Sequence, residues 1–180
     1  MIQLSTKQAG VAKGMAIGMC IAVAIIAFGC WYNPFGFSDS MSGSDRLIVA
    51  IKSSLLPALF LGISIARLAK HRFFTPQDID GGGSSEDSHH AQVLQSILQN
   101  TLEQLCLGVL LYFAWVVIMP ANTLSVVPLA AIAFAVGRVM FFIGYDKGAP
   151  ARAIGFTLSF YPSMLMLASM FIFLCWQFIV

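Results

Sequence analysis

The strongest constraint on the fold is a series of five long apolar stretches that fill most of this chain of 180 residues. A helix needs about 20 apolar residues to cross the hydrocarbon core of a membrane, and each stretch is long enough to do so. Of all residues, 58% are hydrophobic and only 10% are charged, whereas about a quarter of the residues in a soluble domain are charged. The sequence therefore predicts an all-α integral membrane protein in contact with lipid. It argues against a soluble enzyme, a nucleic-acid binder and a disordered regulator.

Short polar segments separate the predicted spans. The spans cover about 13–31, 47–68, 92–119, 124–145 and 152–178. The first could also be a secretory signal, and we interpret it as a retained helix. Pro57 is expected to kink the second span. The segment 75–90 lacks apolar periodicity and is predicted to be a flexible loop. Its acids and its adjacent His89 and His90 do not have the spacing of a metal site, so no metal is expected.

Lysine and arginine residues predict the orientation, because they concentrate in cytoplasmic segments. If five helices alternate, one side carries Lys7, Lys13, Arg67, Lys70, Arg72, Lys147 and Arg152, and the other carries only Arg46 and Lys52. The basic side is therefore expected to be cytoplasmic, with the N-terminus inside. The expected location is the bacterial inner membrane or, in a eukaryote, the endoplasmic reticulum.

The four cysteines are Cys20, Cys30, Cys106 and Cys175. They lie within or beside apolar runs and lack metal-ligand or redox spacing. We interpret them as free thiols that behave as small apolar side chains. A bridge between Cys30 and Cys175 stays open as an alternative.

Two ionisable residues lie well inside the predicted spans, Glu103 in the third and Arg138 in the fourth. Charges at membrane depth face a partner, a bundle interior or a water-filled cavity. The two residues are expected at overlapping depths, either as an ion pair or in a shared polar cavity. The alternative is a buried pair that only fixes helix register.

Polar residues form a stripe along the first half of the third span, because they recur at intervals of three and four residues. On the fourth span, Arg138 and Tyr145 are seven residues apart and are expected to face the same way, with Arg152 just across the following turn. Together these groups predict a polar pocket that suits an anionic ligand of peptide size. The stripe consists of Gln92, Gln95, Ser96, Gln99, Asn100, Glu103 and Gln104.

The order and spacing of these motifs resemble one family. Gln-Asn-Thr-Leu-Glu-Gln at residues 99–104 is followed by Arg-Val-Met-Phe-Phe-Ile-Gly-Tyr at residues 138–145 and then by Arg152. This pattern is similar to the membrane-associated proteins in eicosanoid and glutathione metabolism (MAPEG), which include microsomal glutathione transferases. The resemblance covers about 47–180. It implies a MAPEG-like four-helix domain at 46–180 and an extra N-terminal transmembrane helix with its polar loop at 1–45.

The resemblance further implies a homotrimer that binds glutathione between subunits near the cytoplasmic face. Asn100, Glu103 and Gln104 would bind the tripeptide, and Arg138 and Tyr145 would line the site. Arg152 would be the catalytic residue that stabilises the glutathione thiolate. Basic residues that the family often has at the end of its first helix correspond to Lys70 and His71.

The chain departs from the family pattern at four positions. The family's Glu-Arg pair is Gln92 and Val93 here, a frequent arginine is Ser96, and a frequent tyrosine is Phe141. Three functions therefore stay open. The first is a glutathione-dependent transferase or peroxidase that acts on a lipophilic electrophile. The second is a non-catalytic trimeric membrane protein that binds another amphipathic ligand or serves as a structural subunit. The third is a small transporter or channel, although the chain has no inverted repeat or pair of broken helices.

Overall fold

A computed structural model describes residues 5–81 and 88–179. Five long helices make up nearly all of these residues, and no strand occurs among them. Each helix, with α4 extended by short 3-10 turns at both ends, is long and apolar enough to cross a membrane. The predicted all-α membrane bundle with five spans is therefore confirmed. The helices are α1 (Thr6–Trp31), α2 (Gly43–Phe74), α3 (His89–Ile118), α4 (Val126–Gly144) and α5 (Ala149–Ile179).

Serine residues begin three of the helices. The side chains of Ser5, Ser42 and Ser88 each accept a hydrogen bond from a backbone N–H in the first turn, which satisfies a donor that the helix itself cannot pair. The helix α2 continues through Pro57 as one element. These caps determine where the apolar runs become helical.

Part of the segment predicted as a flexible loop forms regular structure where the structure describes it. Pro76–Asp78 forms a 3-10 turn, and His89 and His90 already belong to α3. The prediction was wrong for these residues because Asp78 binds Ser88 at the start of α3, a contact that local sequence does not reveal. Residues 82–87 of the predicted loop lie outside the described residues.

The helix α5 lies between two neighbours, α4 on one side and α1 on another, whereas α2 packs against α3 and α4. Backbone meets backbone where α4 and α5 touch. A Cβ atom on Gly155 would lie 2.4 Å from the backbone nitrogen of Phe141, and one on Gly144 would lie 2.5 Å from the carbonyl oxygen of Ala151. This close approach holds the end of α4 against the start of α5.

The helix α1 packs along the first half of α5 through small residues. Gly14 faces Ala153, and Gly18 faces Thr157. At the far end of the bundle, the side chain of Asn33 in the α1–α2 loop accepts a hydrogen bond of 2.6 Å from Ser125.

The division of the chain into an N-terminal helix with its loop at 1–45 and a four-helix domain at 46–180 stays a prediction. All four cysteines are free thiols, so the alternative bridge between Cys30 and Cys175 is not formed.

Candidate functional site

A polar cavity opens between α3, α4 and α5 at the end of the bundle where α3 and α5 begin. It has a volume of 590 Å³, and we call it the main cavity. Five residues of the stripe on α3 supply one wall, whereas Gln92 and the buried Gln104 do not line the cavity. Most of the other wall is aromatic and comes from Phe141 of α4, Tyr145 in the 3-10 turn after it, and Phe156 of α5. The lining residues are Gln95, Ser96, Gln99, Asn100, Glu103, Phe141, Tyr145, Arg152 and Phe156.

Arg152 provides the cation of the main cavity. It lies in the first turn of α5, and its guanidinium carbon is 4.5 Å from the centre of the Tyr145 ring. Contact with an aromatic face holds a guanidinium in place. The N-terminal end of a helix adds partial positive charge. This wall of the cavity is therefore suited to an anion.

Arg138 lies behind the main cavity and does not line it. Its side chain is fully buried and lies against the ring of Phe141, 4.5 Å from the ring centre. It donates hydrogen bonds to residues of α3 and α5, and thereby joins three helices. The acceptors are Asn100 at 2.9 Å, Thr101 at 3.5 Å, Gln104 at 3.2 Å and Ser159 at 2.6 Å.

This network sets the orientation of the Asn100 side chain. A guanidinium has donors and no acceptor, so Asn100 must present its Oδ1 atom to Arg138. The NH₂ group of Asn100 is then the end of the amide that is left for the cavity. Gln104 also presents its oxygen to Arg138. It is buried, and its Nε2 atom has no partner among the described residues.

Glu103 lines the main cavity and is exposed to it. Its carboxylate accepts a hydrogen bond of 2.8 Å from Gln99. The ion pair that we considered between Glu103 and Arg138 does not form among the described residues, whose only salt bridge lies elsewhere. The reason is geometric, because Asn100 and Gln104 face α4 and Glu103 lies on the neighbouring face of α3.

Sequence reasoning missed one arginine beside the cavity. Arg72, near the end of α2, donates a hydrogen bond of 3.4 Å to Oε1 of Gln95. Gly81, with a positive φ of 58°, lies against the same guanidinium, at a distance where a Cβ atom would be only 3.0 Å away. No spacing rule connects Arg72 with Gln95, because the loop between α2 and α3 separates them.

Lys70 and His71 lie outside the main cavity. They line another cavity of 390 Å³ together with Arg67 and His90, which we call the basic cavity. The Nε2 atom of His71 is 2.8 Å from Oδ2 of Asp78. Within one chain, the two residues are thus separate from the other predicted binding residues.

Asp78 is a buried carboxylate at this end of the bundle. It accepts hydrogen bonds from the backbone N–H of Ser88 at 2.8 Å and from the Ser88 hydroxyl at 2.7 Å. These two bonds, with a further contribution from His71, hold the pKa of Asp78 below its ordinary value, although burial opposes them. Because Ser88 caps α3, Asp78 fixes the start of that helix.

No group of three or more His, Cys, Asp or Glu side chains that could hold a metal ion occurs in residues 5–81 and 88–179. The cavity chemistry described above rests instead on amides, one carboxylate and one guanidinium. Such a set can bind a zwitterionic ligand through complementary charges and hydrogen bonds.

Comparison with known proteins identifies the family of the chain. No curated protein and no solved structure matches the chain. The family model described as MAPEG family matches residues 47–172. The match covers more than half of the chain and includes every residue that lines the main cavity. The chain therefore belongs to the MAPEG family.

Proposed function

We propose that this protein is a membrane-embedded, glutathione-dependent transferase or peroxidase that acts on a lipophilic electrophile. One observation carries the proposal. Four residues that the family resemblance assigns to glutathione come from three different elements and line one cavity: Asn100, Glu103, Tyr145 and Arg152. Membership of the MAPEG family supports the same activity.

The charges of the main cavity are complementary to glutathione, which has one ammonium group, two carboxylates and one thiol. The carboxylate of Glu103 is suited to the ammonium group. The amide NH₂ groups of Asn100 and Gln95 are suited to the carboxylates, because both amide oxygens are already bound to arginine. A zwitterionic peptide requires a hydrogen-bond acceptor for its ammonium group and several donors for its carboxylates, and the cavity offers both.

We assign the activation of the thiol to Arg152. A free thiol has a pKa of about 8.5, and a neighbouring cation lowers it. The thiolate is the nucleophile, so a guanidinium beside the sulfur increases the reactive fraction at neutral pH. The ring of Tyr145, 4.5 Å from the guanidinium carbon, would hold Arg152 in that position.

Arg72 supports peptide binding in spite of the departures from the family pattern. The stripe on α3 lacks the cations that the family has near Val93 and Ser96. Arg72 approaches the same stretch of α3 from α2 and contacts Gln95. The positive charge is thus supplied by a different helix.

We further propose a homotrimer with the glutathione site closed by a neighbouring copy. Gln99 and Glu103 are exposed in a single chain, and polar side chains at membrane depth require partners or water. Lys70 and His71 would then serve the site of the adjacent subunit. Native mass spectrometry in detergent should give three chains per particle, and a monomer would contradict this assembly.

We also infer that the end of the bundle with the main cavity faces the cytoplasm. Arg67, Lys70, Arg72, Lys147 and Arg152 all lie at this end, and positive residues favour the cytoplasmic side. Glutathione would then enter from the cytoplasm, and the electrophile would enter from the lipid.

Isothermal titration calorimetry of glutathione with the purified protein in detergent tests the proposal. The wild type should bind glutathione and should bind the dipeptide Cys-Gly, which lacks the γ-glutamyl group, more weakly. Arg46→Ala is a matched control, because it removes a cation at the opposite end of the bundle. If the wild type gives no heat of binding, the proposed function is wrong. Binding without any turnover would instead favour a non-catalytic protein that binds an amphipathic ligand.

A further inference from the structure

A cavity of 460 Å³ lies at the end of the bundle opposite the main cavity, between the α1–α2 loop, the start of α2 and the first turn of α4. We call it the distal cavity. Its lining is mostly apolar but contains one acid, Asp45, and one base, Lys52. This combination is suited to an amphipathic ligand. The apolar lining residues are Phe35, Phe37, Met41, Ile48, Val49 and Pro128.

Hydrogen bonds fix the loop that forms one wall of the distal cavity. Asn33, which has a positive φ of 46°, accepts a hydrogen bond of 3.2 Å from the backbone N–H of Phe37 and donates one of 2.7 Å to its carbonyl oxygen. The hydroxyl of Ser125, just before α4, accepts a bond of 3.3 Å from the backbone N–H of Phe35. The rings of Phe35 and Phe37 stack, with centres 6.0 Å apart. The wall is therefore formed before any ligand binds.

Lys52 places a positive charge within a membrane span. The stretch of α2 between Lys52 and Arg67 contains no charged residue. At about 1.5 Å per residue the two positions are about 22 Å apart, which is less than the roughly 30 Å of the hydrocarbon core. At least one of the two side chains therefore begins inside the hydrocarbon. Arg67 lies against the ring of Phe142, whereas the ammonium group of Lys52 has no hydrogen bond or ion pair with residues 5–81 and 88–179. A cation at such depth requires an anionic partner or water.

Asp45 and Lys52 lie on the same face of α2, because they are seven residues apart, yet they do not form an ion pair. The Oδ2 atom of Asp45 accepts hydrogen bonds from the backbone N–H of Ser42 at 3.2 Å and from its hydroxyl at 2.7 Å. The Oδ1 atom has no such bond within the described part of the chain. Side chains of a helix tilt toward its N-terminus, so the Lys52 side chain extends toward the membrane surface. The distal cavity thus has an acid near the surface and a base below it.

We propose that the distal cavity binds one phospholipid with an ethanolamine headgroup from the leaflet at this end of the bundle. In such a lipid the phosphate lies beside the glycerol and the acyl chains, and the ammonium group lies farther out. The phosphate would pair with Lys52, and the ammonium group would donate to Oδ1 of Asp45. An acyl chain would lie against the apolar lining. The order of the two charges along α2 matches the order of the charges in the lipid.

The same charges disfavour other phospholipids. A headgroup that carries a phosphate and no ammonium group would leave Asp45 beside a negative charge. A choline headgroup has a positive charge but no N–H group to donate to the carboxylate. A charge-assisted hydrogen bond is about twice as strong as a neutral one, so the ethanolamine headgroup should be preferred to both.

The distal cavity depends on the part of the chain that precedes the family match. Four of its lining residues, Phe35, Phe37, Met41 and Asp45, come before residue 47, where the match with the MAPEG family begins. The distal cavity also shares no residue with the main cavity. Lipid binding at this place therefore goes beyond the proposed function and does not require it.

Native mass spectrometry of the full-length protein tests the proposal. The protein is delipidated in detergent and mixed with equal amounts of phosphatidylethanolamine, phosphatidylcholine and phosphatidylglycerol that carry the same acyl chains. The wild type should retain one phosphatidylethanolamine per chain in preference to the other two lipids. Lys52→Met keeps an apolar stem and removes the charge, and it should weaken retention at least about tenfold, as expected for the loss of a charge-assisted hydrogen bond. Lys52→Arg should retain the lipid. Lys147→Met, which removes a lysine at the opposite end, is the matched control and should behave as the wild type does.

Asp45→Asn tests the orientation of the headgroup. It should lower the preference for phosphatidylethanolamine over phosphatidylglycerol, because the ammonium group loses its charged acceptor. An unchanged preference would overturn the role of Asp45. Equal retention of the three lipids by the wild type, or full retention by Lys52→Met, would overturn the proposal. A decrease in the number of chains per particle in Lys52→Met, with lipid retention unchanged, would show instead that the distal cavity is a contact between copies of the chain. Glutathione binding by Lys52→Met should equal that of the wild type, so this test and the test of the proposed function can fail separately.

Discussion

The guanidinium of Arg138 donates a hydrogen bond of 2.9 Å to Oδ1 of Asn100, and this bond determines which end of the amide remains for the main cavity. Arg138 is fully buried, yet it acts on the site through a residue that lines it. The same guanidinium binds Ser159 of α5. The orientation of the Asn100 amide and the cohesion of three helices thus depend on one side chain.

Asn100→Asp should separate these two effects. The carboxylate still accepts from Arg138, so the midpoint of thermal unfolding should be unchanged or higher. The donor toward the ligand is lost, and glutathione affinity should fall by at least about tenfold, which corresponds to roughly 1.4 kcal/mol. Differential scanning fluorimetry and calorimetry provide the two measurements.

Arg138→Met is the complementary variant, because it keeps an apolar stem and removes all donors. Gln104 and Ser159 would lose a buried partner, so the variant should be destabilised by about 1–3 kcal/mol, as measured by its thermal unfolding. If Asn100→Asp binds glutathione as tightly as the wild type does, the amide of Asn100 is not a ligand donor.

Arg152 and Glu103 should differ in their effects on catalysis and binding. Arg152→Ala should reduce turnover more than glutathione affinity, since the role proposed for this cation is to stabilise the thiolate. Glu103→Gln should reduce affinity more than turnover, because its carboxylate is assigned to the ammonium group of the peptide.

The pH dependence of the bound thiol gives a direct measurement of the role of Arg152. Ultraviolet absorbance of the thiolate should titrate below the free-thiol pKa of about 8.5 in the wild type and move upward in Arg152→Ala, with each unit equal to about 1.4 kcal/mol. Arg152→Lys should keep part of the shift. A wild-type complex that titrates like free glutathione would rule out thiolate activation.

Much of this architecture could be predicted from the sequence, because membrane thickness sets the length of each apolar run. The periodicity of α3 placed Asn100 and Glu103 within one polar stripe. The resemblance to the family assigned Tyr145 and Arg152 to the same site as Asn100 and Glu103. All four residues line the main cavity.

The spacing of Arg138 and Tyr145 does place the two on one side of the helix, because the ring of Phe141 contacts both the Arg138 guanidinium and the Tyr145 ring. Spacing does not indicate how deeply each residue is enclosed. Arg138 is fully buried and does not line the main cavity, whereas Tyr145, two turns further along, is in its wall. The burial of Arg138 depends on how α3 and α5 pack around α4 and was hidden from the sequence. The bond between Arg72 and Gln95 was equally hidden, because it depends on how α2 and α3 pack.

Gly155→Ala should disrupt the contact between α4 and α5. The new Cβ atom would lie 2.4 Å from the backbone nitrogen of Phe141 and 2.8 Å from the carbonyl oxygen of Gly137. Backbone atoms cannot move aside as a flexible side chain can, so a loss of about 1–3 kcal/mol is expected. Thermal unfolding of the purified protein measures it.

Gly62→Ala is the matched control for this variant. Gly62 lies within α2, and a Cβ atom there would meet nothing within 4 Å. The substitution should be neutral or stabilise the helix by up to about 1 kcal/mol. Equal unfolding midpoints for the two variants would contradict the close packing of α4 and α5.

The proposed orientation predicts opposite accessibility for two exposed loop positions. Asp39 lies between α1 and α2, and Asp80 follows the 3-10 turn after α2. In a background without the four native cysteines, a membrane-impermeant maleimide should label Asp39→Cys in intact cells. It should label Asp80→Cys only after the membrane is opened. Labelling of both positions in intact cells would contradict the alternating topology.

Asp78 should make the stability of the protein depend on acid pH. The pKa of Asp78 is lowered in the folded state, chiefly by the backbone N–H of Ser88. Its stabilising contribution is therefore complete above the unfolded value of about 3.9 and is lost as the pH falls through the lower folded value. Asp78→Asn should unfold at a lower temperature than the wild type at neutral pH. Its unfolding midpoint should then fall less than that of the wild type as the pH is lowered. Asp80→Asn removes an exposed carboxylate from the same segment and should follow the wild-type curve. Unfolding midpoints measured from neutral pH to about pH 3 test this. Parallel curves for Asp78→Asn and the wild type would mean that Asp78 does not hold the start of α3.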